Sequence, residues 1–146
     1  AELAVVIGRV CKDVPKERVN EVIFGYTLAN DVTCRELQRS DGQWARAKGF
    51  DTFCPIGPWI ETDFIPGTQR IFSKVNDELR QDATLDQMIF SVEDIVVFVS
   101  QVMTLLPGDV IITGTPAGIG PLIERGNVVV SVDGLGQLTN KVSAKP

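Results

Sequence analysis

No histidine occurs anywhere in this chain of 146 residues. That absence removes the side chain most often used as a general base and as a transition-metal ligand, so a Ser-His-Asp or Cys-His mechanism cannot be assembled from these residues alone. Cysteine is nearly as scarce. Cys11, Cys34 and Cys54 show no CxxC spacing and are odd in number, which argues against both a zinc site and a disulfide framework. No apolar run approaches the roughly 18 residues of a membrane span, and the opening residues do not read as a secretory leader. The expectation is a soluble, reduced, cytoplasmic protein. Positive charge is short too: 14 Lys and Arg against 19 Asp and Glu leave a net charge of −5, with no basic block. A nucleic-acid or acidic-membrane partner is therefore not expected, and an acidic ligand has to be held by a few local cations.

What is present suffices for one core. With 44% hydrophobic residues, a chain of this length is expected to fold as a single domain over residues 1–146, burying about 70% of its unfolded surface. No internal repeat, low-complexity tract or linker divides it. The opening AELAVVIGRV sets Leu3, Val5 and Ile7 on one face and Glu2, Ala4 and Val6 on the other, a strand apolar on both sides. Glu2 reads by pattern as a frayed first residue. Asp13 and Pro15 mark a helix start ahead of Val19, Val22 and Ile23. Residues 25–30 return to strand character, and Asp31 falls at the strand end.

Further strands are predicted at residues 70–75 and 79–81, joined across Asn76, Asp77 and Glu78. Ser91, Val92, Glu93 and Asp94 resemble a capping sequence, and Val92, Ile95, Val96, Val99 and Met103 trace a helical core stripe. Residues 110–113 form a short strand, and 128–132 with 137–142 a closing hairpin. Between them lies GTPAGIG, residues 114–120. Its glycines allow backbone N–H groups to converge on an anion, but the spacing is neither the dinucleotide fingerprint nor a P-loop.

The richest stretch spans residues 25–59, GYTLANDVTCRELQRSDGQWARAKGFDTFCPIGPW, which gathers Asp31, Arg35, Gln38 and Lys48 between two apolar runs. Each has an ordinary reading. Asn30 and Asp31 suit a turn or a helix cap, Arg35, Glu36 and Arg39 a solvated helical face, and Lys48 a lysine reaching to solvent over an apolar stem. Residues 44–60 read as an aromatic, buried, loop-rich wall, in which Lys48 would need a charged or metal-linked partner. If Glu2 and Asp31 act together, two carboxylates without His or paired Cys favour Mg²⁺, Mn²⁺ or Ca²⁺ over zinc, and a third ligand is required.

Taken in order, AELAVVIGR, GYTLANDVTCRELQ, GQWARAKGFDTFCPIGPW, VNDELRQ, LLPGDVIITGTPAGIG and GLGQLTNKV resemble successive blocks of the fumarylacetoacetate hydrolase family, over nearly the whole chain. The resemblance implies an α+β, mostly β fold, a mixed β-sandwich roll with a few short helices. It also implies a divalent metal, usually Mg²⁺ or Mn²⁺, and a homodimer. Family members hydrolyse acylpyruvates, isomerise or decarboxylate ring-cleavage dioates, or decarboxylate oxaloacetate. By motif, Glu2 and Asp31 match metal ligands, Arg35 and Gln38 a substrate-contacting pair, Lys48 the active-site lysine, and Thr115 the threonine that binds the substrate carboxylate.

The family's general base, commonly a His with a Glu on a lid, has no counterpart among these residues, and the Glu-x-Glu motif is entered part-way. The expectation is a catalytic domain lacking its N-terminal part. Three functions follow as expectations. The first is a metal-dependent hydrolase of acylpyruvate-type or fumarylpyruvate-type 2-oxo acids. The second is an isomerase or decarboxylase of 2-hydroxyhepta-2,4-diene-1,7-dioate-type dioates or oxaloacetate, and the third a non-catalytic anion-binding or structural β-roll. In either enzymatic case Lys48 is the catalytic proton carrier, Phe50, Phe53 and Trp59 exclude water, and Arg35 offsets negative charge.

Overall fold

The computed structural model describes residues 1–143. Two four-stranded antiparallel sheets face each other. The first has the order β3-β2-β1-β6, built from β1 (Glu2–Ile7), β2 (Ile23–Ala29), β3 (Ile56–Glu61) and β6 (Val110–Ile112). The second has the order β5-β4-β7-β8, from β4 (Arg70–Val75), β5 (Glu78–Thr84), β7 (Asn127–Val132) and β8 (Gly136–Lys141). Three α-helices, α1 (Arg35–Asp41), α2 (Ala45–Lys48) and α3 (Val92–Val102), and two short 3-10 helices complete the described residues. This is the mostly β, α+β roll that the sequence implied.

All six residues of β1 are buried, as a strand apolar on both faces demands when it lies between β2 and β6. Leu3, Val5 and Leu28 from the first sheet meet Ile71, Val130, Val132 and Leu138 from the second. Val19, Val22, Val92 and Val96 close one flank of that core. Burial of each such side chain contributes about 1.5–3 kcal/mol, offset by the entropy of ordering the chain. Among the described residues, no helix is long and apolar enough to cross a membrane.

The β4–β5 hairpin turns through Asn76 and Asp77, both at positive φ (50° and 66°). That is the left-handed pair a two-residue hairpin requires, supplied by residue types that tolerate it without glycine. β5 accordingly begins at Glu78, one residue earlier than the sequence suggests. Ser91 caps α3 as expected: its Oγ accepts from Asp94 N–H at 3.2 Å, and Asp94 Oδ2 accepts from Ser91 N–H at 3.3 Å.

Three local expectations change. The element after Asp13 is a 3-10 helix, Lys16–Glu21, whose cap position is held by Pro15. Asp13 takes a left-handed φ of 51° and its N–H donates to the Ser100 carbonyl, so it caps nothing. The α3 stripe is narrower than its periodicity implies. Val92, Val96 and Ser100 are buried, Ile95 and Val99 half-buried, and Met103 lies beyond the helix and exposed. Finally, residues 44–60 are not a buried wall. They form α2 and the edge strand β3, with Trp44, Phe50, Ile56, Trp59 and Ile60 all exposed.

Candidate active site

Strand register builds the site. Pairing sets Glu2 opposite Ala29 and Ala4 opposite Ile112. The chain leaving β2 therefore delivers Asn30 and Asp31, and the chain leaving β6 delivers Thr113, Gly114 and Thr115, to the end of the sheet where β1 starts. Across from them, Ser73 pairs with both Gln81 and Val130, so these three share the inward face of the second sheet. Between the two sheet ends lies a cleft of about 720 Å³ bordered by Glu2, Asp31, Arg35, Lys48, Gln81 and Thr115, among others.

Glu2 is not frayed; it is 4% exposed. Its Oε2 accepts from Gly114 N–H at 2.7 Å. Burial raises its pKa above the ordinary glutamate value, the Gly114 bond pulls it part of the way back, and the nearby Asp31 charge pushes it up again. Asp31 caps no helix either, since the N-cap of α1 is Cys34. Its Oδ2 instead accepts a short charged hydrogen bond from Lys48 Nζ. Lys48 is correspondingly not a solvated lysine: its side chain is 28% exposed, and Nζ stands 5.9 Å from the centroid of the Trp44 ring.

Arg35 opens α1, is exposed, and borders the cleft. Its Nη1 donates to Gln38 Oε1 one turn along. Gln38 itself is not part of the cleft lining; the two residues meet each other, but only Arg35 reaches the cavity. Thr115 Oγ1 accepts from Gln81 Nε2 at 2.7 Å and donates its proton to the Ala1 carbonyl at 2.8 Å. In the glycine loop the Gly114 N–H is committed to the Glu2 carboxylate, and Gly118 and Gly120 border the cleft. Gly118 has a different duty: with φ at 101°, a Cβ there would stand 1.9 Å from the Arg80 carbonyl oxygen. Only glycine lets the loop cross edge strand β5 so closely.

The aromatic residues assigned to water exclusion lie elsewhere. Phe50 packs against Phe53 with the rings tilted by 57° and their centroids 5.4 Å apart, and Trp59 covers Gly136, where an added Cβ would come within 2.5 Å of the indole. None of the three lines the cleft. Residues 118–122 with Val75, Val128 and Val130 supply its apolar side instead.

Sequence reasoning missed Gln81 and Asn30. Gln81 is 4% exposed and makes bonds to four residues. Its signal was available, as a long polar side chain at an inward position of an alternating strand within the block VNDELRQ. Asn30 borders the cleft, and its Nδ2 is buried with no partner among the described residues. Only packing reveals such a donor.

Glu2 and Asp31 offer hard oxygens to one cavity, and the Asp31 charge, which adds to burial in raising the Glu2 pKa, exerts a repulsion of the kind a cation between them relieves. In kind, these donors fit a hard divalent ion. In number they supply two of the roughly six oxygens such an ion takes, and among the described residues no group of three His, Cys, Asp or Glu side chains comes together.

The profile described as fumarylacetoacetate (FAA) hydrolase C-terminal matches residues 1–143. The chain belongs to the fumarylacetoacetate hydrolase family. Among solved structures, it is 52% identical to a 5-carboxymethyl-2-hydroxymuconate delta-isomerase from Mycobacterium smegmatis, covering 99% of this chain and 58% of that one, with a TM-score of 0.97. It is 53% identical to a 2-hydroxyhepta-2,4-diene-1,7-dioate isomerase from Mycobacterium marinum, covering 99% and 57%, again with a TM-score of 0.97. A maleylpyruvate hydrolase from Sphingobium sp. SYK-6, solved in complex with manganese(II) and pyruvate, is 37% identical over 97% of this chain and 52% of that one, with a TM-score of 0.89. The chain spans about half the length of the curated relatives it matches. In this chain the cleft at the start of β1 gathers Glu2, Asp31, Arg35, Lys48 and Thr115, and leaves Gln38 outside its lining.

Proposed function

We propose that the protein containing this chain is a cytoplasmic, divalent-metal-dependent enzyme of 2-oxo acid chemistry that isomerises or decarboxylates dioates of the 2-hydroxyhepta-2,4-diene-1,7-dioate type or oxaloacetate. The observation that carries the reading is the meeting of Glu2, Asp31 and Lys48 in one cleft, from three separate stretches of chain. The relatives named as isomerases, at 52% and 53% identity, weigh for isomerisation over the acylpyruvate hydrolysis that the sequence put first. Hydrolysis stays the second reading, supported by the maleylpyruvate hydrolase at 37%. Likeness to enzymes of both kinds weighs against a purely structural roll.

In this reading Glu2 and Asp31 hold Mg²⁺ or Mn²⁺, with Ca²⁺ as a third candidate. When bound, such an ion supplies Lewis acidity that stabilises negative charge developing on a 2-oxo or enol oxygen. Lys48, already fixed by Asp31, is oriented to carry a proton at its Nζ while its charge offsets that of the acidic substrate. Arg35 adds positive charge at the rim. The unpartnered Asn30 Nδ2 offers a donor to a substrate oxygen. Thr115 reaches a substrate carboxylate only by turning its proton away from the Ala1 carbonyl. The family also implies a homodimer, and the exposed Phe24, Ile56, Trp59 and Ile60 on β2 and β3 supply apolar surface that a partner would cover.

The test uses the protein expressed from its full coding sequence, assayed against the dienedioate, oxaloacetate and an acylpyruvate, with Mg²⁺ and with a chelator. Turnover of the dienedioate or oxaloacetate that needs Mg²⁺ and vanishes in Asp31→Ala is the expected result. Turnover confined to the acylpyruvate would hand the site to the hydrolase reading, and full activity of Asp31→Ala with Mg²⁺ would end the ligand assignment.

A further inference from the structure

Gln81 stands on the second sheet, yet its amide joins three elements of the cleft. Oε1 accepts from Ser73 Oγ at 2.9 Å and from the Ala1 nitrogen at 2.9 Å. Nε2 donates to Thr115 Oγ1 at 2.7 Å and to the Pro116 carbonyl at 2.8 Å. A carboxamide has two donor protons and two lone pairs on its oxygen, so every capacity of this one is used. The orientation of the amide is unambiguous. The Pro116 carbonyl can only accept and the Ala1 nitrogen only donates, so the reversed amide would break two bonds at once.

These bonds reach Glu2 through the backbone. Thr113 N–H donates to the Leu3 carbonyl at 3.1 Å, Gly114 N–H to Glu2 Oε2 at 2.7 Å, and Thr115 Oγ1 to the Ala1 carbonyl at 2.8 Å. Residues 113–115 are thus laced to the start of β1, and Gln81 holds the far side of that lacing at Thr115 and Pro116. With φ at 95°, Gly114 has a backbone with more conformational freedom than its neighbours, so its N–H keeps its aim only while both sides are held.

We propose that Gln81 is a positioning residue for the metal site: by pinning Thr115 and Pro116 it aims the Gly114 N–H at Glu2 and fixes the direction in which the Glu2 carboxylate faces the cleft. The proposal rests on the reading of Glu2 as a metal ligand. Gln81 touches neither the ion nor the substrate in this account; it acts through the loop.

Two variants test it, Gln81→Met, which keeps the length and removes all four bonds, and Ser73→Ala, which removes one. The first readout needs no metal: hydrogen exchange of the Gly114 amide. In Gln81→Met it speeds up while the Val5 amide, inside the β1–β2 ladder, keeps its protection. The second is Mn²⁺ affinity by calorimetry, expected to fall about 10- to 100-fold in Gln81→Met, the range for loss of a group that orients a ligand. In Ser73→Ala the fall is roughly threefold, the weight of one hydrogen bond. Unchanged Mn²⁺ affinity in both variants overturns the proposal, whatever happens to thermal stability. Faster exchange at Val5 as much as at Gly114 overturns it too, because Gln81 would then serve the fold as a whole. If Gln81→Met does not fold, Ser73→Ala decides alone. A parent protein that binds no Mn²⁺ overturns this proposal together with the metal reading, whereas a parent that binds beside unaltered variants overturns only the role of Gln81.

Discussion

Glu2 shows how far burial changes the meaning of a residue. By pattern it is the solvated end of a strand; in the fold it is 4% exposed, bonded to Gly114 and close to a second carboxylate. Lys48 changes in the same sense, from a snorkelling lysine to the fixed partner of Asp31. Gln38 moves the other way, since its carbonyl oxygen is taken by Arg35 and its side chain stays out of the cleft. Tyr26 gives a test of burial free of any assumption about function. It is the single tyrosine of the chain. Its ring packs on Phe64 at 5.5 Å, and burial, helped by the Glu93 charge, pushes its pKa up to about 12. The folded phenol therefore holds its proton more tightly than the unfolded one, whose value is near 10.0. Stability is fully present below the unfolded value and falls as pH rises from there through the folded one. A tyrosinate absorbance titration should show the 146-residue chain's phenol ionising near 12 when folded and near 10 in urea. Coincident curves would mean that Tyr26 is in contact with water.

At the scale of elements, local chemistry was readable where it is self-contained. The Ser91 and Asp94 cap needs only four residues and is present in the fold, and the hairpin expected across Asn76, Asp77 and Glu78 forms one residue tighter, through Asn76 and Asp77. Replacing Ser91 by Ala should cost about 1 kcal/mol, measured as a lower urea midpoint with an unchanged slope. An unaltered midpoint would show that Lys16, whose Nζ lies 2.6 Å from Asp94, and the buried Val92 and Val96 hold the start of α3 without the cap. Where an element depends on its neighbours, the reading failed. The span after Asp13 is a 3-10 helix, and the Asp13 and Val14 N–H groups bond Ser100 on α3, a partner 86 or more residues away that no local pattern shows. Residues 56–61 became an edge strand because β2 offered them a ladder, a pairing that a run of aromatic residues, prolines and glycines does not announce.

For the whole molecule, length and composition sufficed to expect one core and the family resemblance implied the β-sandwich roll around it, in which Leu28 is fully buried. The same apolar content that fills the core also leaves Trp44, Trp59, Phe90 and Phe98 exposed. Sedimentation of the full-length protein at micromolar concentration should therefore give the mass of a dimer. A species that stays monomeric would remove the homodimer from the proposal and leave those surfaces to be covered in some other way.

The sequence by itself determined the alternation of the strands, the cap of α3, the presence of the β4–β5 hairpin and the residue types available for chemistry, because each depends on neighbours a few positions away. It also carried the family, through blocks long enough to be specific. The tertiary structure alone decided that residues 2, 31, 48, 81 and 115 share one cavity, that Gln38 and the aromatic run do not, and where the proton of Thr115 points. Those facts follow from strand register and from which hydrogen-bond partners survive burial, and both are set by pairings between segments that lie tens of residues apart.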